Sequence, residues 1–179
     1  LGSWLVWRGE LWGDTDQPAV WERLREDVLF RDFGGLQVSL MAIDSGFRKK
    51  EVYDFCADHM ALAVPTKGRD TMDKSWYPQP VELNWHDRAD WDGLHLWHIN
   101  TDVAKSWIHA RIRRPVDQPG AWLVPEDIDD DYCKQVTAES RVVEANGKPK
   151  WLQHSQSNHF FDAECGAYFA VEQVQILRE

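Results

Sequence analysis

The spacing of apolar and polar positions changes several times along the chain, and each change marks an element. Val38-Ser39-Leu40-Met41-Ala42-Ile43 is a short apolar run, the pattern of a buried strand, and it ends in Asp44-Ser45-Gly46. From Arg48 the period becomes helical, with Val52, Phe55, Cys56 and Met60 on one face. Asp44 is therefore expected at the carboxyl end of a core strand, the edge where open α/β sheets place their ligands.

Before this unit, Ser3-Trp4-Leu5-Val6-Trp7 reads as a strand and Gly13-Asp14-Thr15-Asp16 as a turn. Pro18 suits a first helical turn, and Val20, Trp21, Leu24 and Val28 carry the helix to about Phe30, where Gly34-Gly35 ends it. After Met60, Ala61-Leu62-Ala63-Val64 is a short strand that delivers Lys67 into a Pro65-Thr66-Lys67-Gly68 loop. Residues 69 to 90, with Pro78 and Pro80, read as a long irregular excursion.

Leu94 to Ile99 is the next strand, and Asn100-Thr101-Asp102 can cap the helix after it. Val103, Ala104, Trp107, Ile108 and Ile112 form that helix's inner face, leaving Lys105, Arg111, Arg113 and Arg114 solvated. Beyond the Pro115 to Gly120 loop come a strand over Ala121 to Val124 and a helix from Glu126 to Glu139 with Ile128, Tyr132 and Val136 inward. Arg141 to Ala145 and Lys148 to Leu152, joined by Asn146-Gly147, predict a hairpin. Asn158 to Leu177 closes the chain as a long helix with Phe161, Tyr168, Val171 and Val174 facing the core. Strands alternating with helices predict an α/β layered fold.

At 179 residues the chain suits one domain over 1–179, and 43% hydrophobic content supports an ordered core. No apolar run reaches the roughly 20 residues of a membrane span. Arg8 and Glu10 interrupt the first apolar stretch, so no signal peptide is expected there. Three scattered cysteines, Cys56, Cys133 and Cys165, read as reduced thiols of a cytosolic protein. The net charge of −10 argues against a protein that coats duplexes with a basic stripe, and suits an acidic cluster completed by divalent cations. The eleven tryptophans follow no repeat and read as core or interface anchors.

The pair that bears on chemistry is Asp44, at a strand end, and Asp162, one turn into the last helix. Carboxylates from a sheet edge and a neighbouring helix can hold two cations about 3.5–4 Å apart, one activating water and one stabilising the leaving oxygen. His159 shares a helical face with Asp162 and can ligate metal or steer a proton. On pattern alone, an aspartate after a buried strand more often caps a helix or closes a turn, and His159 more often is an ordinary polar residue. Lys67 can contact a phosphate or remain a solvated loop lysine. Glu139 can reach the acidic site or serve the helix it ends. The Asp127, Asp129, Asp130, Asp131 run reads as a solvated helix start. Walker, GxGxxG and GxSxG motifs are absent from the sequence.

Taken in order, several pieces look familiar. Gly9-Glu10-Leu11-Trp12-Gly13-Asp14 precedes Val20-Trp21. Ile43-Asp44-Ser45-Gly46 is followed by Val52-Tyr53-Asp54-Phe55 and Thr66-Lys67-Gly68. Then come Asn100-Thr101-Asp102-Val103-Ala104-Lys105, Gln135-Val136-Thr137-Ala138-Glu139, a hairpin ending at Trp151, and Asn158-His159-Phe160-Phe161-Asp162. In this order they resemble the C-terminal nuclease domain of the large terminase subunit of lambda-like tailed bacteriophages, over nearly the whole chain.

The resemblance implies an RNase H-like fold, a central mixed sheet flanked by helices with a β-hairpin before the C-terminal helix. It implies an endonuclease that cuts concatemeric double-stranded DNA with Mg²⁺ or Mn²⁺ during genome packaging. The small terminase subunit and the portal would be its partners and the host cytoplasm its location, with no membrane. It places metal-binding acids at Asp44 and Asp162. Read from the residues themselves, His159 is a further catalytic candidate, and Lys67, Lys105, Glu139 and Ser45 are candidate DNA contacts or supports. A first strand bearing a further aspartate belongs, in that family, just before the Ser3 strand. The residues also leave open a non-catalytic module docking on a portal through tryptophan-rich surface, and another RNase H-like enzyme such as a junction resolvase or transposase.

Overall fold

The computed structural model describes residues 3–81, 91–145 and 147–176. Among these, strands β2 (Met41–Asp44), β3 (Ala63–Arg69), β4 (Trp76–Pro80) and β5 (His95–Asn100) form a four-stranded sheet in the order β2-β3-β5-β4. β2, β3 and β5 are parallel, and β4 runs antiparallel to β5 at the far edge. A short strand β1 (Ser3–Trp4) pairs in parallel with β6 (Trp122–Leu123).

Side-chain alternation along these strands divides the core in two. Met41, Ile43, Ala63 and Leu96 point to one face, where α1 (Pro18–Leu24) and α2 (Lys49–Asp58) supply Trp21, Val52, Tyr53, Phe55 and Cys56. Ala42, Val64, Trp97 and Ile99 point to the other, packed by α3 (Thr101–Ile112), α4 (Asp130–Val136) and α5 (His159–Ile176). Phe161 and Phe169 of α5 and Ile108 of α3 are fully buried there. The result is a mixed sheet with helices on both faces.

Several boundaries differ from the sequence reading, each for a local reason. The strand begins at Met41 and not Val38, because its partner β3 starts only at Ala63, after a turn tied to His59. β3 runs on through Lys67 to Arg69 because Thr66 to Arg69 pair with Trp97 to Asn100 of β5, so Lys67 lies in a strand and not in a loop. The expected excursion over 69 to 90 contains β4, and Pro78 and Pro80 suit its place at a sheet edge; residues 82–90 lie outside the described residues.

The helix expected from Glu126 to Glu139 is confined to α4. The Asp129 carboxylate accepts from the Tyr132 amide (2.9 Å) to start it, and the chain turns at Thr137. Glu139 consequently opens β7 (Glu139–Val143), which pairs with β8 (Pro149–Gln153) in the expected hairpin. Gly147 takes the left-handed conformation its turn requires (φ 79°), while Asn146 lies outside the described residues. Asp102 fastens this hairpin to α3: it accepts from Arg141 Nε (3.0 Å), Arg141 Nη2 (3.3 Å) and Trp151 Nε1 (2.8 Å).

The first helix passes at Leu24 into a π-helical turn, Arg25–Leu29. Asn100 caps α3 as expected, accepting from the Val103 amide (3.3 Å). In α5 Phe161 and Tyr168 are buried as expected but Val171 is 45% exposed; Phe160, Phe169 and Ala170 take up the core positions. Met60 and Ile112, expected inward, are exposed. Leu177 lies outside the described residues.

His98 on β5 is fully buried between Arg69, whose Nε donates to Nδ1 (3.1 Å), and Gln79, whose Oε1 faces Nε2 (2.8 Å). Desolvation, with the Arg69 charge second, holds its pKa below the ordinary 6.5. His109 on α3 is lowered in the same way, by desolvation first and then by Arg113. Both rings stay neutral in the fold while an unfolded chain would protonate them, so stability is lost as pH falls through about 6.5. Urea unfolding between pH 7.5 and 5.5 should show this loss, and His98→Gln should make the slope shallower.

Candidate catalytic site

Helix α5 crosses the sheet on β2. A Cβ built on Gly166 would meet the Ala42 Cβ at 3.5 Å, so these residues mark the crossing. Val38, Ser39 and Leu40, before the crossing on β2's side, line a groove with Ala167, Ala170 and Val171, which follow it on α5. The helix therefore runs antiparallel to the strand. Asp162 lies one turn before Gly166, about 6 Å along the axis. Asp44 lies two residues beyond Ala42, about 7 Å along the strand and on the same face. The two carboxylates are thus displaced from the crossing in the same direction and lie on the same side of it.

Electrostatics agree with that placement. Asp162 is solvent-accessible, yet its pKa is raised above the ordinary 3.8, chiefly by desolvation. Lys105 opposes the rise, and the charges of Glu139 and Asp44 add to it. His159, the first residue of α5 and also exposed, is close enough to lower it. Asp44 and Asp162 accordingly feel each other as like charges.

Beneath them lies a buried ion pair. Lys105 Nζ donates to Glu139 Oε2 (2.6 Å), with side chains only 12% and 5% exposed. Asn158, the residue before α5, donates from Nδ2 to the other Glu139 oxygen (3.0 Å). The ammonium also lies over the rings of Phe161 (5.5 Å) and Trp151 (5.9 Å). This corrects two sequence expectations. Lys105 is not on a solvated helix face, and Glu139 does not end a helix, because its carboxylate is consumed in holding α3, β7 and the start of α5 together. The amide of Phe160 is satisfied by Gln135 Oε1 (3.2 Å), which ties α4 to the same helix end. Asn158 and Gln135 were not singled out from sequence; an Asn directly before a helix is a cap signal, whereas nothing local pairs Gln135 with residue 160.

The strand-end turn is equally constrained. Ser45 is buried, and its Oγ and amide both donate to the Thr66 carbonyl (2.9 Å each), so it pins β2 to β3 and presents no free hydroxyl. The Gly46 amide donates to Asp44 Oδ2 (3.1 Å). A Cβ on Gly46 would fall 2.6 Å from Lys67 Nζ and 2.7 Å from Asp44 Oδ2, so a larger residue would have to push both side-chain ends aside. Lys67 has the strand parity of Ala63, toward α2, and its ammonium comes to Asp44 past the end of β2.

A model of the family "terminase large subunit gpA, endonuclease domain" matches residues 1–179, the whole chain. The chain belongs to that family. No curated protein and no solved structure matches it.

Terminase endonuclease domains act on DNA within the phage packaging machinery, and this chain is such a domain. No described helix is long and apolar enough to cross a membrane. The donor set of this terminase domain fits a hard divalent ion. A cation relieves the cost of ionising Asp162, which burial and the neighbouring Glu139 and Asp44 charges raise, and Mg²⁺ characteristically takes one or two carboxylates and keeps its waters. Among the described residues no group of three or more His, Cys, Asp or Glu side chains forms around them.

Two stability measurements follow. Glu139→Ala leaves the Lys105 ammonium buried without its carboxylate and should cost about 3 kcal/mol in urea unfolding, while Lys105→Met with Glu139→Leu should recover most of it. Because the Asp162 pKa is raised, the unfolded chain gives up that proton first, and stability falls as pH climbs from 3.8 to the folded value. Asp162→Asn should therefore raise the melting temperature in EDTA at neutral pH.

Proposed function

We propose that this terminase domain is a metal-dependent endonuclease that hydrolyses phosphodiester bonds of concatemeric double-stranded DNA at Asp44 and Asp162. The convergence of these two carboxylates at the α5–β2 crossing, with the charge of one raising the pKa of the other, carries the reading. Mg²⁺ or Mn²⁺, one or a pair, would be held by Asp44 and Asp162 and would supply an activated water and charge neutralisation at the leaving oxygen. An RNase H-like arrangement of the sheet is part of the same proposal.

The chain's own groups have defined tasks in this reading. Water oxygen bonds to phosphorus as the bond from phosphorus to the sugar oxygen breaks, and that oxygen takes up a proton. His159, exposed and near enough to Asp162 to lower its pKa, would carry a proton to or from the reacting oxygens in this reading. Lys67, half-buried and facing Asp44, offers its ammonium to a non-bridging phosphate oxygen. Lys105 and Glu139 fix the height and tilt of α5, and with them the Asp162 carboxylate. Ser45 acts only as a support.

The net charge of −10 is compatible with DNA if cations neutralise the centre and local basic groups steer the backbone. The small terminase subunit and the portal as partners, and the host cytoplasm as location, belong to the proposal. A purely docking role has less support: among the described tryptophans only Trp4 and Trp12 are among the exposed large hydrophobics.

Plasmid nicking with Mn²⁺ tests the assignment. Asp44→Ala and Asp162→Ala should each lower the rate at least about a hundredfold with unchanged circular dichroism, and EDTA should abolish nicking by the parent. Undiminished nicking by either variant would remove that residue from the site.

A further inference from the structure

The turn after Asp44 carries a group that hydrolysis does not use. Phe47 is 71% exposed, although it directly follows Gly46, whose amide holds the Asp44 carboxylate. It belongs to neither apolar cluster. The next residue, Arg48, is the only non-glycine with positive φ among the described residues (φ 51°, ψ 51°), a strained conformation for a side chain of that size. Arg48 opens α2 without any side-chain cap, is ion-paired with Asp16, and sets its guanidinium 5.3 Å from the Phe47 ring centre. The left-handed bend and the Asp16-paired guanidinium thus flank a ring that packs into neither core. It stands in solvent on the turn whose Gly46 lies between Lys67 Nζ and Asp44 Oδ2.

Resting on the nuclease reading above, we propose that Phe47 is a nucleobase-contacting wedge that inserts at a base step beside the phosphate presented to Asp44. Flat apolar side chains unstack base steps in this way, and aromatic stacking tolerates any base because each has a π-face. Such a contact needs no sequence code. It loosens the local duplex and turns the sugar–phosphate backbone toward the acidic pair, which suits an acidic protein that cannot grip DNA by charge alone.

The wedge is read from binding by the full chain, with Ca²⁺ in place of Mg²⁺, as fluorescence anisotropy on two labelled duplexes, one fully matched and one with a single central mismatch. The mismatch removes part of the unstacking cost, so the parent should bind it tighter. Phe47→Ala should lose that preference and weaken binding by at least about fivefold, whereas Phe47→Trp should keep both. Equal affinities and preference in parent and Phe47→Ala overturn the proposal, as does Phe47→Trp failing alongside Phe47→Ala at an unchanged melting temperature. A parent that shows no mismatch preference overturns it too. Failure of the nuclease reading registers separately, as absent nicking by the parent in Mn²⁺.

Discussion

A lysine ammonium enclosed between a buried glutamate and two aromatic rings is the interaction on which this structure depends. Lys105 comes from α3, Glu139 from β7, and Asn158 locks the second glutamate oxygen from the threshold of α5. Buried pairs of this kind contribute little net stability compared with apolar residues, but they tolerate few alternative geometries. Here the geometry they select is the seating of α5, and the seating of α5 decides where Asp162 stands relative to Asp44. The pair also sets the local field, since the ammonium lowers and the glutamate raises the Asp162 pKa.

Much of the fold could be read from the chain because its elements are locally encoded. The period change between Ile43 and Val52, the Asn100 cap and the turn glycine at 147 all identify their elements without tertiary information. Boundaries that depend on partners were not legible. β3 extends to Arg69 only because β5 lies beside it, and β4 forms from a proline-bearing segment only because an edge was open to it.

The candidate site divides in the same manner. Asp44 and Asp162 could be singled out by their places at a strand end and a helix start, and the fold brings them to one face. The roles of Lys105 and Glu139 could not, since a lysine on an amphipathic helix reads as solvated until a carboxylate 34 residues on is seen against it. Gly46 carries no signal in sequence either; its lack of a Cβ matters only once Lys67 and Asp44 converge on that space.

The crossing of α5 over β2 also bears on the order of events as the chain is made. Asp44 belongs to the parallel strands that come early in the chain, whereas its counterpart comes on α5, after the hairpin that carries Glu139. Contacts so distant in sequence form late, since the loop between them must close first. A ribosome-bound or truncated chain lacking that helix would hold one carboxylate and no partner for it. The proposed pairing of the two carboxylates therefore requires α5 to have been made and seated.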